Sequence, residues 1–366
     1  KYPSSARIPA FRLQEAFSLA RNGDPKATEI LANLAKSAPS DIAGSAGLAL
    51  AEWEYQQLDY PAAALQLQRI SSKGESPREA ALGVFLADSG EPDASPKAID
   101  AARAFLSRFP NSEPEPSVRM KLGELLFLNG DYASARVELE SLARKFPGSD
   151  FEVSALFLAA QAASRIPDPA ATADAMVLFE EVAARDGSFS SRARLEQAAI
   201  LTSQGKPLEA NLVIDKVLSS SPDHVMKATA LIEKGKNFYT LGAQDPANYK
   251  LAIEVWKQVA SEEVSDPAWR NQALTRIGTA FEKSGDDNAA VASYYEVFKP
   301  NSAPPAEFFW FYKAGFAAGR IFEFQQKWSE AIRVYEIMAA NEGPRALEAK
   351  KRIQQIRLEH FIWDGE

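Results

Sequence analysis

Two short stretches of the chain have nearly the same sequence: Ser107–Pro114 reads SRFPNSEP, and Arg144–Asp150 reads RKFPGSD. Their Phe-Pro pairs begin at Phe109 and Phe146, 37 residues apart, and each follows a run of helix-forming residues. Because proline cannot continue a helix, we interpret each stretch as a junction. In it, phenylalanine anchors the last turn of one helix and serine caps the next one. The interval predicts a chain built from repeats.

The segment between the two junctions has the pattern of two amphipathic helices. The first helix has one apolar face, formed by Val118, Leu122, Leu125 and Leu126. Asn129-Gly130-Asp131 then interrupts the pattern, because glycine accepts the left-handed conformation that ends helices. The second helix has apolar residues three or four positions apart: Tyr132, Ala135, Leu139, Leu142 and Phe146. Two such helices cannot bury their apolar faces alone, so copies of the pair are expected to stack.

Similar pairs recur along the chain, and we count about nine of them. A small residue inside the first helix marks the predicted helix crossing in most copies: Ala16, Ala51, Gly123, Ala198, Gly235, Gly278 and Gly319. The predicted array covers residues 1–343, with approximate repeats at 8–37, 44–72, 78–109, 116–147, 151–186, 191–222, 226–262, 270–299 and 307–342. Residues 344–366 are predicted to form a capping helix, from Arg345 to about Trp363, and a tail. The residues predicted to face the array are Ala346, Ala349, Ile353, Ile356 and His360.

The order of residues within a copy resembles that of tetratricopeptide-repeat proteins, whose pattern is W-x2-L-G-x2-Y, then Ala, Phe and Pro. One copy matches in order, with Arg119 in the tryptophan position: Leu122-Gly123, Leu126, Ala135, Leu139 and Pro147. A second copy matches at Ile277-Gly278, Phe281, Ala290 and Tyr294. The resemblance implies an all-α fold: an α-solenoid, wound as a right-handed superhelix of about nine helix pairs with a C-terminal capping helix. It also implies a concave surface lined by the first helices, which binds a protein or peptide.

The Phe-Pro-x-Ser junction also resembles that of bacterial cell-envelope tetratricopeptide-repeat proteins, which include outer-membrane assembly components and coordinators of envelope constriction. This resemblance implies a periplasmic or envelope-associated protein with a role in assembly or division. A cytoplasmic adaptor is the alternative. A signal peptide or lipid anchor encoded upstream of Lys1 would distinguish the two locations.

Composition restricts the classes of partner. The net charge of −8 argues against a nucleic-acid partner, which needs clustered cations. No apolar run approaches the roughly 18 residues of a membrane span. The chain has 0 cysteines, so it can form no disulfide, thiolate metal site or cysteine nucleophile.

Catalytic and cofactor motifs are not found in the sequence. The two histidines, His224 and His360, lie outside any nucleophile motif, and no metal-ligating, phosphate-binding or dinucleotide-binding motif occurs. Adjacent carboxylates such as Glu180-Glu181 point in different directions on a helix. We therefore predict a protein that is not an enzyme and binds no cofactor or metal. A glycan-acting enzyme that uses scattered carboxylates is kept as an alternative.

Residues offset from the packing positions of the first helices are predicted to line the concave surface and contact the partner. They are Glu124, Phe127, Thr202, Lys236, Tyr239, Thr279, Glu282, Arg320 and Glu323. The lysine–asparagine clamp for terminal carboxylates found in chaperone-binding relatives has no counterpart here. The alternative for each residue is plain solvation.

The run Glu307–Tyr312 (EFFWFY) contains five consecutive aromatic residues, which cannot all face one core because helical residues are 100° apart. Phe308 and Tyr312 are predicted to be buried, since they align with the packing stripe. Phe309 and Trp310 point away from that stripe and are predicted partner contacts, with Trp310 reaching the surface. The alternative is core packing, under the loop 300–306 or the terminal helix. A basic run in the terminal helix is interpreted as its solvated face, or alternatively as a patch for acidic partners: Arg345, Lys350, Lys351, Arg352 and Arg357.

Overall fold

The structure is a computed structural model that describes residues 7–70, 76–89, 96–185, 187–261, 266–299, 308–341 and 343–362. Every regular element in these ranges is an α-helix. The contacts divide the chain into two compact units, Lys1–Val182 and Ala183–Glu366. No pattern in the sequence predicted this division.

Unit 1 is a succession of helices in which each contacts the next along the chain. Its helices are α1 (Ile8–Arg21), α2 (Lys26–Ser37), α3 (Ser40–Gln56), α4 (Tyr60–Ile70), α5 (Pro77–Ser89), α6 (Pro96–Arg108), α7 (Glu115–Leu128), α8 (Tyr132–Lys145), α9 (Glu152–Arg165) and α10 (Pro169–Ala183), the last of which ends at the boundary.

Unit 2 is built in the same way. Its helices are α11 (Ser188–Ser203), α12 (Pro207–Ser219), α13 (His224–Leu241), α14 (Ala247–Ser261), α15 (Pro267–Lys283), α16 (Asp287–Phe298), α17 (Phe308–Phe324), α18 (Trp328–Ala340) and α19 (Ala346–His360). The first helices of successive pairs also contact each other, as α15 and α17 do. Over the described ranges the helices make nine pairs followed by α19, which confirms the predicted all-α fold.

In the pairs α7–α8 and α15–α16, the turn between the helices is formed by a glycine followed by an aspartate. Gly130 has φ +80° and Gly285 has φ +79°, a conformation that glycine adopts without strain. Asp131 Oδ1 accepts a hydrogen bond from the Ser134 amide at 3.2 Å, which caps α8. Asp286 caps α16 through the Ala289 amide at 3.0 Å. The helix break predicted at Gly130 is confirmed.

The two Phe-Pro junctions share a capping device that differs from the predicted one. Asn111 and Gly148 both have positive φ, and each donates its amide to a glutamate four residues later. The acceptors are Glu115 Oε2 at 2.6 Å and Glu152 Oε2 at 2.5 Å. The junction serines have buried hydroxyls without a hydrogen-bond partner, so the prediction that serine caps the next helix was wrong.

The four predicted crossing glycines lie where two helices meet: Gly123, Gly235, Gly278 and Gly319. A Cβ atom added to Gly278 would lie 2.5 Å from Cε1 of the buried Tyr294, so only glycine lets α15 and α16 approach this closely. Gly319 makes the same approach to Tyr335 of α18. The apolar faces predicted from the first copy are also buried: Val118, Leu122, Leu125, Leu126, Ala135, Leu139 and Leu142.

The terminal helix packs on the array as predicted, although it is shorter than expected. Ala349, Ile353 and Ile356 are buried against the core that contains α17 and α18. His360 is largely exposed but stacks on Trp328, with ring centroids 3.6 Å apart and planes 14° apart. Trp363, the expected end of the helix, lies outside the described residues.

Candidate functional site

The most prominent candidate surface lies on α17 in unit 2. Phe309, Lys313, Phe316 and Arg320 are spaced four, three and four residues apart and therefore fall on one face of this helix. We call these four residues the α17 stripe. The two cations and Phe309 are exposed, whereas Phe316 is buried and lies under the guanidinium of Arg345, whose Cζ is 4.2 Å from the ring centroid. The stripe thus alternates aromatic rings and cations.

The aromatic run at the start of α17 is only partly as predicted. Tyr312 is buried, as predicted, but Phe308 is half-buried, and Phe311 is buried although no burial was predicted for it. The prediction that Trp310 reaches the surface was wrong. Trp310 is half-buried against the core of unit 2, and Phe309 is the exposed residue, with 58% of its surface accessible.

The neighbouring helix α15 explains why Trp310 is covered. The guanidinium of Arg276 lies over Trp310, with Cζ 5.8 Å from the ring centroid. Phe309 then packs edge-to-face on Trp310, with centroids 4.8 Å apart. The loop proposed to cover this run, 300–306, and Glu307 lie outside the described residues.

Lys313 lies beside the same rings. Its Nζ is 5.0 Å from the Trp310 centroid and 5.4 Å from the Phe309 centroid. At these distances a cation is attracted to the face of an aromatic ring. Burial and the charge of Arg276 together lower the pKa of Lys313. One cation from α15 and one from α17 therefore both contact the ring of Trp310.

The other side of the α17 stripe is bounded by α19. Arg345 donates two hydrogen bonds to Glu348, both at 2.7 Å, while it covers Phe316. Arg352 forms a bidentate ion pair with Glu323 of α17, in which Nε donates to Oε1 at 2.9 Å. The basic run of the terminal helix is therefore partly paired with α17 and with its own acids, and Lys350 and Lys351 are exposed.

Two acids predicted to contact the partner, Glu282 and Glu323, bind the second helix of their own pair, and their predicted partner contact stays a prediction. Tyr294 donates its hydroxyl to Glu282 Oε2 at 2.9 Å, and Tyr335 donates to Glu323 Oε1 at 2.7 Å. Burial raises the pKa of both tyrosines, and their carboxylate partners raise it further. Burial acts to raise the pKa of Glu323, but the hydrogen bonds from Arg352 and Tyr335 lower it overall. These contacts stabilise the helix pair.

The remaining predicted residues lie apart from one another. Glu124 and Phe127 belong to unit 1, and the other nine belong to unit 2. Three of them follow a crossing position by one helical turn and pack on nearby side chains. The ring of Phe127 lies 5.3 Å from that of Tyr132, and the ring of Tyr239 lies 5.4 Å from that of Tyr249, measured between centroids. Thr202 donates a 2.9 Å hydrogen bond to Asn237.

Of the four predicted residues directly after a crossing position, two are exposed and two are half-buried. Lys236 and Arg320 are exposed, and Lys236 forms an ion pair with Glu233 at 3.0 Å. Glu124 is half-buried and pairs with Lys121 at 3.3 Å. The Thr279 hydroxyl lies 3.2 Å from the Tyr294 hydroxyl. The partner-binding role of all these residues stays a prediction.

Sequence reasoning missed Arg276 and Lys313 as parts of the site, and it named Arg345 only in the basic run interpreted alternatively as a patch for acidic partners. Arg276 lies two residues before the crossing at Gly278, and Lys313 lies six residues before the crossing at Gly319. The helical period places Lys313 on the same face as the predicted Arg320, which is a signal that could have been used. The position of Arg276 over Trp310 depends on how α15 and α17 pack, and no local pattern encodes it.

His224 is the exposed first residue of α13, and His360 lies on α19. In the part of the chain that the structure describes, no group of 3 or more His, Cys, Asp or Glu residues is placed to hold a metal ion. Among the same residues, no helix has both the length and the apolar character needed to cross a membrane.

The family model for tetratricopeptide repeats matches residues 117–149. No match was found among curated protein sequences. A solved tetratricopeptide repeat protein from Parabacteroides merdae is 13% identical, with a TM-score of 0.47 over 77% of this chain and 99% of that chain. The apo form of the quorum sensor NprR from B. thuringiensis is 12% identical, with a TM-score of 0.47 over 90% and 97%. The C-terminal part of a repeat-containing protein of the same kind from Cytophaga hutchinsonii is 14% identical, with a TM-score of 0.42 over 82% and 98%.

The matched segment coincides with the pair α7 and α8, which was the source of the sequence pattern. Gly123 lies against Leu139 where these two helices cross. The chain therefore contains a tetratricopeptide repeat at residues 117–149.

Proposed function

We propose that this chain is a non-enzymatic scaffold that binds a protein or peptide partner, and that the α17 stripe is part of the binding surface. Tetratricopeptide repeats are generally non-enzymatic protein-binding modules, which supports the coarse assignment. The observation that carries the proposal is the exposure of Phe309 between Trp310 and Lys313. Aromatic side chains and arginines dominate the binding energy of protein interfaces, and the stripe has both.

A photo-crosslinking experiment tests this proposal. p-Benzoylphenylalanine replaces Phe309 in one version of the full chain and Leu212 of α12 in a control version. Leu212 is 67% exposed, close to the 58% of Phe309, but lies on the second helix of a pair. We expect the version with the probe at position 309 to form a defined crosslinked species in cells of the source organism. Equal crosslinking at both positions, or none at 309, would contradict the proposal.

We further propose that the protein works in a bacterial envelope, in an assembly or division process. The support for this is the resemblance of the Phe-Pro-x-Ser junctions to those of envelope repeat proteins. Fractionation of cells that express the full-length gene product tests the location. Recovery with the periplasm or membranes is expected, and recovery with the cytoplasm would favour the adaptor alternative.

A further inference from the structure

One cluster in unit 2 contains two cations and two aromatic rings but no acid: Arg276, Lys313, Trp310 and Phe309. Arg276 Cζ and Lys313 Nζ lie 5.8 and 5.0 Å from the same Trp310 centroid. The Arg276 guanidinium also lies 5.9 Å from the centroid of Trp256, so it is flanked by two indole rings. Among the residues that the structure describes, no carboxylate forms an ion pair with either cation.

Both cations are partly removed from water and have no anionic partner among the described residues. Burial lowers the pKa of Arg276 and of Lys313, and for Lys313 the repulsion from Arg276 adds to the effect. The Nε atom of Arg276 is closed off from solvent and has no hydrogen-bond acceptor. The acid with the largest electrostatic effect on Arg276 is Glu233, which forms its 3.0 Å ion pair with Lys236. Partly desolvated cations of this kind are stabilised when an anion binds.

The geometry points to an oxyanion carried on a group with an apolar neighbour. A carboxylate can accept two parallel hydrogen bonds from a guanidinium, while an ammonium group adds a third, less directional contact. The exposed ring of Phe309 offers apolar contact beside Lys313. A peptide with an acidic residue next to an apolar one satisfies both requirements.

We propose that Arg276 and Lys313 bind a carboxylate of an acidic peptide segment in the partner, with an adjacent apolar side chain of that segment on Phe309. This inference rests on the proposed function and names the chemistry of the partner. The carboxylate comes from an Asp or Glu side chain or from a chain terminus, and both sources present the same group.

Fluorescence anisotropy with defined probes tests the proposal and distinguishes the sources. The first probe is a fluorescein-labelled peptide of alternating Asp and Leu with a blocked C-terminus. The second replaces every Asp with Asn and leaves the terminal carboxylate free, and the third has Asn and a blocked terminus. Inorganic phosphate serves as a competitor. We expect the first or the second probe to bind and the third to fail.

Two substitutions and a matched control connect binding to the site. Arg276→Gln and Lys313→Gln should each weaken binding of the successful probe by about tenfold or more, the size of a lost charge-assisted hydrogen bond. Lys350→Gln removes the same charge from an exposed position on α19 and should change binding by less than about twofold. Because Lys313 is exposed, we expect Lys313→Gln to fold. This variant therefore tests the site even if Arg276→Gln is destabilised.

A readout at the arginine itself completes the test. In a ¹H–¹⁵N spectrum of arginine Nε–H groups, the signal lost in Arg276→Gln should shift in the wild-type protein when the successful probe is added. Failure of both carboxylate probes, competition by phosphate without peptide binding, or equal losses in Lys350→Gln would overturn the proposal. If these probes fail while Phe309 still crosslinks to a partner, the scaffold function stands and only the acidic chemistry is wrong.

Discussion

At the scale of single residues, the pairs α15–α16 and α17–α18 are stabilised by the same three residue types: a glycine, a tyrosine and a glutamate. A glycine at the crossing, Gly278 or Gly319, lies against a tyrosine 16 residues later in the chain. The hydroxyl of that tyrosine reaches an acid four residues after the glycine, Glu282 or Glu323. The close approach buries a large ring, and the hydrogen bond satisfies its only polar atom.

Enlarging the crossing glycine should destabilise unit 2. Gly278→Leu must displace the buried ring of Tyr294, and overpacking of this kind costs about 1–3 kcal/mol of unfolding free energy. Lys283→Leu places the same side chain at an exposed position on α15 and should change stability by less than about 0.5 kcal/mol. Urea denaturation followed by circular dichroism compares the two. A Gly278→Leu variant that unfolds at the wild-type midpoint would show that the crossing is not close-packed.

Glu115 is the residue in unit 1 whose charge should matter most for stability. It is fully buried, and its carboxylate accepts hydrogen bonds from Arg119 Nε at 2.9 Å, from Lys145 Nζ at 2.6 Å and from the Asn111 amide at 2.6 Å. Burial acts to raise the pKa of Glu115, but the hydrogen bonds from Lys145 and Arg119 outweigh it and lower the pKa. The ionised form is therefore the one that the fold stabilises.

Because the pKa of Glu115 is lower in the folded state than in the unfolded state, its contribution to stability is present above the unfolded pKa. It is lost as the pH falls through the folded pKa. Glu115→Gln should cost about 3 kcal/mol near neutral pH, the size expected when a buried ion pair loses one partner. The difference from wild type should shrink from about pH 5 downward. The exposed Glu113→Gln serves as control, and a cost for Glu115→Gln that did not change with pH would contradict this account.

At the scale of elements, α19 completes the core of unit 2. It buries Ile353 and Ile356, stacks His360 on Trp328, and forms the ion pair between Arg352 and Glu323. The helix covers the apolar face of the pair α17–α18 that would otherwise be exposed. The helix also supplies Arg345, which covers Phe316 at the edge of the α17 stripe.

Truncating a buried residue of α19 should show whether this helix is docked. Ile356→Ala should lower the unfolding free energy by about 2–4 kcal/mol, since it leaves a cavity under the helix. Leu358→Ala, at a position 64% exposed on the same helix, should change it by less than about 0.5 kcal/mol. Similar small effects for both variants would indicate that α19 does not pack on α18 in solution.

The elements also show how far sequence reasoning can go. Helical period and turn residues were sufficient to predict the pairs, the crossing glycines and the burial of Tyr312, because these depend on local spacing. The exposure of Trp310 was predicted wrongly because Arg276, from the preceding pair, covers it. The serine capping was wrong because the amides of Glu115 and Glu152 donate to the backbone carbonyls of Ser112 and Ser149, and the two serine hydroxyls have no partner. Contacts between elements therefore limited the prediction of the site.

At the scale of the whole molecule, net charge and local charge have opposite signs at the candidate site. The chain carries a formal charge of −8, yet the α17 stripe and the residues beside it include Arg276, Lys313, Arg320 and Arg345. Long-range attraction of a polyanion depends on charge summed over the surface, whereas a short anionic group responds to the nearest cations. The molecule should therefore accept a single carboxylate and discriminate against extended polyanions.

The contrast between the negative net charge and the local cations predicts that the protein does not bind nucleic acid. A labelled single-stranded RNA and a labelled DNA duplex should show no saturable binding to the full chain at about 150 mM salt, where the Debye length is about 8 Å. Nucleic-acid binding gains its affinity from many phosphate contacts, which a chain with a net charge of −8 disfavours. Anisotropy measured beside the acidic peptide probes gives the comparison under one set of conditions. If either nucleic acid binds with a steep loss of affinity as salt rises, the cations of unit 2 form a phosphate-binding surface, and the charge argument for a protein partner is wrong.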